Sequence, residues 1–184
     1  MAKRLLTGRN VSAFLALGLA WSVFDWLTKR YFDGSFALGQ VITGPILGLF
    51  RFVLVRNTGA AWGMFGGSTL VLGTVSTLVC VFIAIYFAAS ARQACLGEVI
   101  GLALIFAGGL GNALDRFLVG YVVDFVEFTF FSFPVFNIAD IGITCGIVIV
   151  AASLVYTWQR QRKASGSPSG PSGQEGQGGD GPGV

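Results

Sequence analysis

The sequence predicts an all-α membrane protein in which four transmembrane helices carry a small extracytoplasmic β-sheet. Three observations point there. Hydrophobic residues make up 54% of the 184-residue chain and charged residues only 11%, with a mean hydropathy of +0.74, too apolar for an ordinary soluble domain. The apolar residues are gathered in four long blocks, each near the roughly 17–25 residues that a spanning helix needs once its flanks are added. Between the first two blocks lies a stretch rich in β-branched and aromatic residues, the composition of short strands.

The blocks cover about residues 11–27, 70–89, 99–114 and 138–158. Without water every backbone N–H and C=O must find its partner within the segment, so each block is expected to be a helix. The first also resembles a secretory signal, with a basic start and the apolar run VSAFLALGLA. Asp25 and the pair Lys29-Arg30 follow it without a small-residue cleavage site, so it is read as a retained span.

About residues 31–67 form an outer segment, where FRFVLV and the upstream GQVITGP read as strands around a turn. Ala107 with Gly111, and Gly142 with Gly146, have the small-xxx-small spacing of closely packed membrane helices. Residues 1–163 are thus expected to form one four-helix domain. Residues 164–184, a Gly/Ser/Pro/Gln tail, cannot bury enough surface to offset ordering entropy and read as disordered.

Lys3, Arg4, Arg9, Arg92, Arg160, Arg162 and Lys163 fall on one side of a four-span chain, and Lys29, Arg30, Arg51, Arg56 and Arg116 on the other. The positive-inside rule places the first set, and both termini, in the cytoplasm, by a narrow margin. The cations are scattered, and with a net charge of only +3 no nucleic-acid footprint exists. There is no histidine, which excludes a Ser-His-Asp triad, a Cys-His pair and a His-ligated zinc site within the chain. Cys80, Cys95 and Cys145 form no CxxC and read as small hydrophobes rather than as a disulfide or a nucleophile.

Charges near a membrane cost about 2.5–3.5 kcal/mol each on insertion scales, so they mark function by default. They cluster in four places. In DWLTK, Asp25 and Lys29 are four apart on one helix face and read as a structural pair anchoring the helix end. In RNTGAAWG, Gly59 permits a tight turn and Asn57 can donate and accept; an ordinary turn and a functional loop are equally open. In GNALDR, Asn112, Asp115 and Arg116 share a face at the outer end of the third helix. In VVDF and FNIAD, Asp124 lies in a short outer connection, while Asn137 and Asp140 share a face at the start of the fourth helix. There Asn137 also suits an N-cap, and Asp140 a first-turn acid.

Helices three and four are antiparallel neighbours, so Asp115, Asp124 and Asp140 reach similar depth. Two carboxylates about 3 Å apart share a proton. The ionised one can take a proton from water and the protonated one can donate to a carbonyl oxygen, which is peptide hydrolysis without metal or cofactor. A proton relay or small transporter, and a purely structural subunit, are the rival readings. A relay needs acids through the bilayer, whereas here they gather at one end.

In that order, DWLTK, RNTGAAWG, GNALDR, VVDF and FNIAD resemble the motifs of lipoprotein signal peptidase, the bacterial type II signal peptidase, over about residues 11–158. The resemblance implies a multi-pass inner-membrane aspartic endopeptidase with its site near the outer face. It would remove signal peptides from diacylglyceryl-modified prolipoproteins, cutting before the lipidated Cys. It implies a small outer sheet with a mobile interfacial helix, and inhibition by globomycin-like cyclic peptides. Carried over, Asp124 and Asp140 are the catalytic dyad. Asn57, Gly59, Asn112, Asp115, Arg116 and Asn137 support the dyad or bind substrate, with Asp115 orienting rather than reacting. Glu127 has no assigned role and reads as a solvated acid. The expected partners are the prolipoprotein and the lipid bilayer, and nothing demands more than a monomer.

Overall fold

The computed structural model describes residues 2–60 and 66–165. Six elements follow in chain order: α1 (Ala2–Ser35), β1 (Phe50–Asn57), α2 (Thr69–Ser90), α3 (Leu96–Leu118), β2 (Val122–Phe128) and α4 (Ile138–Ser165). Four segments are long and apolar enough to cross a membrane: Gly8–Ser35, Thr69–Ser90, Leu96–Leu118 and Ile138–Lys163. The bundle centres on α3, which packs against α4, α2 and α1.

The first helix continues well past the apolar block that announces it. Its 34 residues span about 50 Å at 1.5 Å per residue, more than the roughly 30 Å of a bilayer core. Residues 31–35, expected to belong to the outer segment, stay in the helix. The charges that look like its end, Asp25 and Lys29, are buried in partnerships with other helices, so they do not break it. The extra turns carry Phe32 up to the sheet, where it stacks on Phe125 with ring centroids 4.1 Å apart. With Leu54 and Val123 these rings form the core that joins sheet to bundle. At the other end Phe14, Ile83, Phe87 and Leu102 form a second core. There Asn10 donates from its side chain to the carbonyls of Ala91 (2.9 Å) and Ala94 (3.0 Å), closing the connection between α2 and α3.

The sheet differs from the local hairpin that the outer segment suggests. The main partner of β1 is β2, antiparallel, with Arg51 opposite Glu127, Val55 opposite Asp124 and Asn57 opposite Val122. The upstream GQVITGP also lies along β1, through the Val41–Val53 bridge and backbone hydrogen bonds from Gly39 to Leu54, Leu54 to Gln40 and Ile42 to Phe52, without forming a full strand. The irregularity between Phe52 and Val55 lets β1 bend over the bundle. Among the described residues of the outer segment no helix separate from α1 occurs, and residues 61–65 lie outside the described set. So does the tail from residue 166 onward; the two residues before it, read as tail, end α4.

Close approach of α3 and α4 depends on glycine, though not at the expected spacing. A Cβ on Gly108 would collide with the Ala139 carbonyl oxygen, and one on Gly101 would lie 2.7 Å from the Gly146 carbonyl oxygen. Gly111 instead faces α1: a Cβ there would lie 2.6 Å from Asp25 Oδ2. Gly142 likewise faces Trp21 of α1.

Candidate active site

The polar motifs converge where α1, α3, α4 and the sheet meet. At the base lies Lys29, 4% exposed. Its ammonium contacts Asp25 Oδ2 (2.8 Å), Asp115 Oδ2 (2.8 Å) and Asn112 Oδ1 (2.9 Å). Two carboxylates and an amide oxygen thus surround the one ammonium. The pair in DWLTK is therefore real, but it is not local: it ties α1 to α3. The cation that partners Asp115 is Lys29, not the adjacent Arg116. Asp25 Oδ1 also accepts the backbone N–H of Ala139 (2.9 Å), and Trp21 Nε1 donates to the Ile138 carbonyl (3.2 Å). Two bonds from α1 thus fix the first turn of α4.

Asn112 passes this order on. Its Oδ1 is occupied by Lys29 and by Asn137 Nδ2 (3.2 Å), so its amide nitrogen must face the other way, where it donates to Asp140 Oδ1 (2.8 Å). Asn137, fully buried, does several things at once. Its Oδ1 accepts the Asp140 N–H (3.0 Å) while its own N–H donates to Asp140 Oδ2 (3.1 Å), a reciprocal cap that starts α4. Its Nδ2 also donates to Asp124 Oδ1 (2.7 Å). One side chain thus caps α4 and also reaches Asp124.

Asn57 likewise has two partners. Its Oδ1 accepts the Gly59 N–H (2.9 Å), an Asx turn, which directs Nδ2 to Asp124 Oδ2 (3.0 Å). The Gly59 carbonyl accepts from Arg116 Nη2 (3.2 Å), and Arg116 Nη1 donates to the Asn112 carbonyl (3.0 Å). Of RNTGAAWG, residues 61–63 lie outside the described set.

All four oxygens of Asp124 and Asp140 thus accept from nitrogen donors: three side-chain amides and one backbone N–H. Among the described residues no hydrogen bond joins the two carboxyl groups directly; Asn137 links them. This differs from two carboxyls in direct contact over one proton. Asp124 is 3% exposed. Burial pushes its carboxyl up to about 7; the charge of Asp140 acts in the same sense, and the amides of Asn57 and Asn137 oppose it.

Both acids line a cavity of about 370 Å³, together with Asn57, Asn112 and Arg116 on the polar side and Phe128, Phe133, Pro134, Val135 and Phe136 on the apolar side. It continues along α4 past Ile141 to Thr144 and Cys145. A second cavity of about 530 Å³ adjoins it, sharing Asn57, Ala60 and Asp124 and reaching Arg56 and Ser132. Asp124 stands where the two meet.

Glu127 lies outside both, paired across the sheet with Arg51 (2.6 Å). The sequence reading missed Trp21 and Asp33. Asp33 pairs with Arg56 (2.8 Å) and accepts from the Tyr121 hydroxyl (3.2 Å), tying the end of α1 to β1 and to the residue before VVDF. No local pattern marks either. All three cysteines are free; Cys80 is buried and Cys145 exposed.

A family model described as signal peptidase (SPase) II matches residues 17–156. A lipoprotein signal peptidase of Nostoc punctiforme is 38% identical over 160 residues, covering 85% of this chain and 92% of its own. One of Staphylococcus carnosus is 34% identical over 155 residues, covering 83% and 96%. Among solved structures, a bacterial membrane enzyme determined by the in meso method superposes with a TM-score of 0.74 at 25% identity, covering 88% of this chain and 96% of that one.

Proposed function

The chain belongs to the signal peptidase II family, multi-pass bacterial membrane proteases that remove signal peptides from prolipoproteins, and on that premise we propose that it is an aspartic endopeptidase whose dyad is Asp124 and Asp140. The observation that carries this reading is the amide cradle: two carboxyls in one cavity, each oxygen accepting one hydrogen bond and keeping a lone pair for water or substrate.

Asp124, pushed up to about 7, holds a proton below that pH and donates it to the scissile carbonyl oxygen. Asp140, in the first turn of α4 where the helix dipole favours an anion, takes a proton from the attacking water. As the C–N bond breaks, that proton passes to the leaving amine, and a hydroxyl of the tetrahedral intermediate returns a proton to Asp124. Asn57, Asn112 and Asn137 orient the two carboxyls. Gly59 and Arg116 shape the cavity rim, and Asp115, Asp25 and Lys29 support from behind. The chemistry requires neither metal nor cofactor.

The substrate is a prolipoprotein bearing diacylglyceryl on the Cys after the cut. Its acyl chains add about 0.8 kcal/mol of burial per CH₂ and concentrate it at the depth of the site. The cavity's extension to Thr144 and Cys145 on α4 offers these chains a route to lipid. The protein resides in the cytoplasmic membrane as a monomer, termini inside and site near the outer face, and binds globomycin-like inhibitors in the same cavity.

A proton relay is disfavoured by the spans themselves. No charged residue lies between Arg9 and Asp25, Glu98 and Asp115, or Asp140 and Arg160, and α2 has none. The test is cleavage of a diacylglyceryl-modified prolipoprotein by purified wild type and the Asp115→Asn, Asp124→Asn and Asp140→Asn variants, each checked for folding. Turnover should vanish in the Asp124 and Asp140 variants and persist, reduced, in the Asp115 variant. Retained turnover in Asp124→Asn with none in Asp115→Asn would mean that the wrong acids are paired.

A further inference from the structure

The far end of the sheet carries a feature that peptide cleavage does not use. Residues Ile46 to Leu49 form a tight turn closed by the Leu49 N–H donating to the Ile46 carbonyl (3.0 Å). Both central residues have positive φ, Leu47 at 53° and Gly48 at 70°. Such turns ordinarily take Asn, Asp or Gly, because a side chain with a Cβ is strained there. Leu47 is the one non-glycine residue with positive φ among the described residues, and it is 88% exposed. A strained backbone that presents a large apolar side chain outward points to a surface with a use.

This turn is not isolated. Thr129 donates from its N–H to the Leu49 carbonyl (3.0 Å) and from its hydroxyl to the Gly48 carbonyl (2.8 Å). It thereby locks the turn to the connection between β2 and α4. Directly after it come Phe130, 61% exposed, and Phe131, also exposed; Phe131 stacks on Phe128 and Phe130 meets it edge-on. No charged residue lies between Asp33 and Arg51 or between Glu127 and Asp140. The Arg51–Glu127 pair sits immediately behind, a polar collar to an apolar tip.

The occupant follows from where the tip lies. A seven-residue strand reaches about 23 Å, so β2 could have carried this tip far into water. Instead Phe128, at its distal end, lines one cavity with Thr144 and Cys145, both on the exposed face of a helix that spans the membrane. The distal end of β2, from which the tip projects, therefore lies beside the exposed face of α4.

We propose that the Ile46–Leu49 turn and the Phe130–Phe131 pair form an anchor that dips into the leaflet at the sheet end of the bundle, holding the sheet flat over lipid and the cavity mouth at membrane depth. Aromatic and aliphatic side chains at that level match the composition of membrane–water interfaces. The anchor does not depend on the catalytic reading.

The test uses the full chain in nanodiscs of palmitoyl-oleoyl phosphatidylethanolamine and phosphatidylglycerol. In a background where the three cysteines are replaced, nitroxides are placed by Leu47→Cys and Phe130→Cys. Leu78→Cys on α2 serves as a lipid reference and Arg92→Cys as a water reference. Collisional accessibility to oxygen and to a nickel chelate is then compared. Both tip labels should resemble Leu78→Cys, with oxygen dominating several-fold. Introducing Leu47→Asn, a residue that suits the turn and so preserves the fold, should shift the label at position 130 toward nickel. Nickel-dominated tip labels would overturn the proposal. So would dipolar broadening that disappears on dilution with unlabelled protein, which would assign the tip to a second copy of the chain.

Discussion

Replacing Asp124 by Asn should change how stability depends on pH, and the two curves should cross. The ordinary carboxyl value for this residue is 3.8, and burial with the nearby charge of Asp140 raises it to about 7. Between those values the folded protein holds a proton that the unfolded chain gives up. The corresponding stability is complete below about pH 4, falls as pH rises through the window, and is gone above about pH 7. At 1.36 kcal/mol per pKa unit the loss is about 4 kcal/mol, an upper figure because part of the shift depends on the charge of Asp140. Asn cannot titrate. Its oxygen still accepts from one of Asn57 and Asn137, but its amide nitrogen confronts the other donor, a pH-independent cost of about 1–3 kcal/mol. Asp124→Asn should therefore be less stable than wild type at pH 4.5 and more stable at pH 8.5. Reversible unfolding in mixed micelles, followed by the fluorescence of the four tryptophans, measures both curves. A wild-type-minus-variant difference that stays constant from pH 4.5 to 8.5 would refute a raised carboxyl at this position.

Three further outcomes follow from the same geometry. Lys29→Met leaves Asp25 buried without its cation and Asp115 without its partner, and should cost about 3–5 kcal/mol in the same unfolding assay; a loss under 1 kcal/mol would show that the three-way contact is weak. Gly111→Ala drives a methyl toward Asp25 Oδ2 and should destabilise by about 1–3 kcal/mol, whereas Gly44→Ala, with open space around it, should not. Cleavage should decline as pH rises through about 7, when Asp124 loses the proton it donates; a rate that climbs through pH 8 would require another acid.

The four spans were legible because a chain this apolar has few alternatives, and the site because each charge in it stands out against that background. What the sequence concealed was partnership. DWLTK reads as a local pair, since four-residue spacing satisfies both charges on paper. Only the helix packing brings Asp115 and Asn112 to Lys29. The same blindness misplaced the end of α1, because Asp25 and Lys29 look like a boundary until their cross-helix partners are known. It also hid the main strand partner of β1. GQVITGP is near in sequence and apolar, whereas β2 lies beyond two helices and meets β1 because α3 returns the chain to the same end. In the sequence Asn57 and Asn137 suit a turn and a cap as well as they suit a site. A primary amide has both donors and an acceptor, so one residue can close a turn and hold a carboxyl together.

This sharing explains why the site tolerates so many polar groups at membrane depth. A lone carboxyl there is costly, but each amide in this network serves two masters. Lys29 fixes the Asn112 oxygen, which turns the Asn112 nitrogen to Asp140. Asn137 starts α4, which places Asp140, and reaches Asp124 with the same side chain. The Asp25 carboxylate holds the Ala139 N–H, one residue before Asp140, so α1 sets the position of an acid it never touches. Stability and site geometry therefore rest on the same bonds, and a change at Lys29 or Asp25 should disturb Asp140 without contacting it.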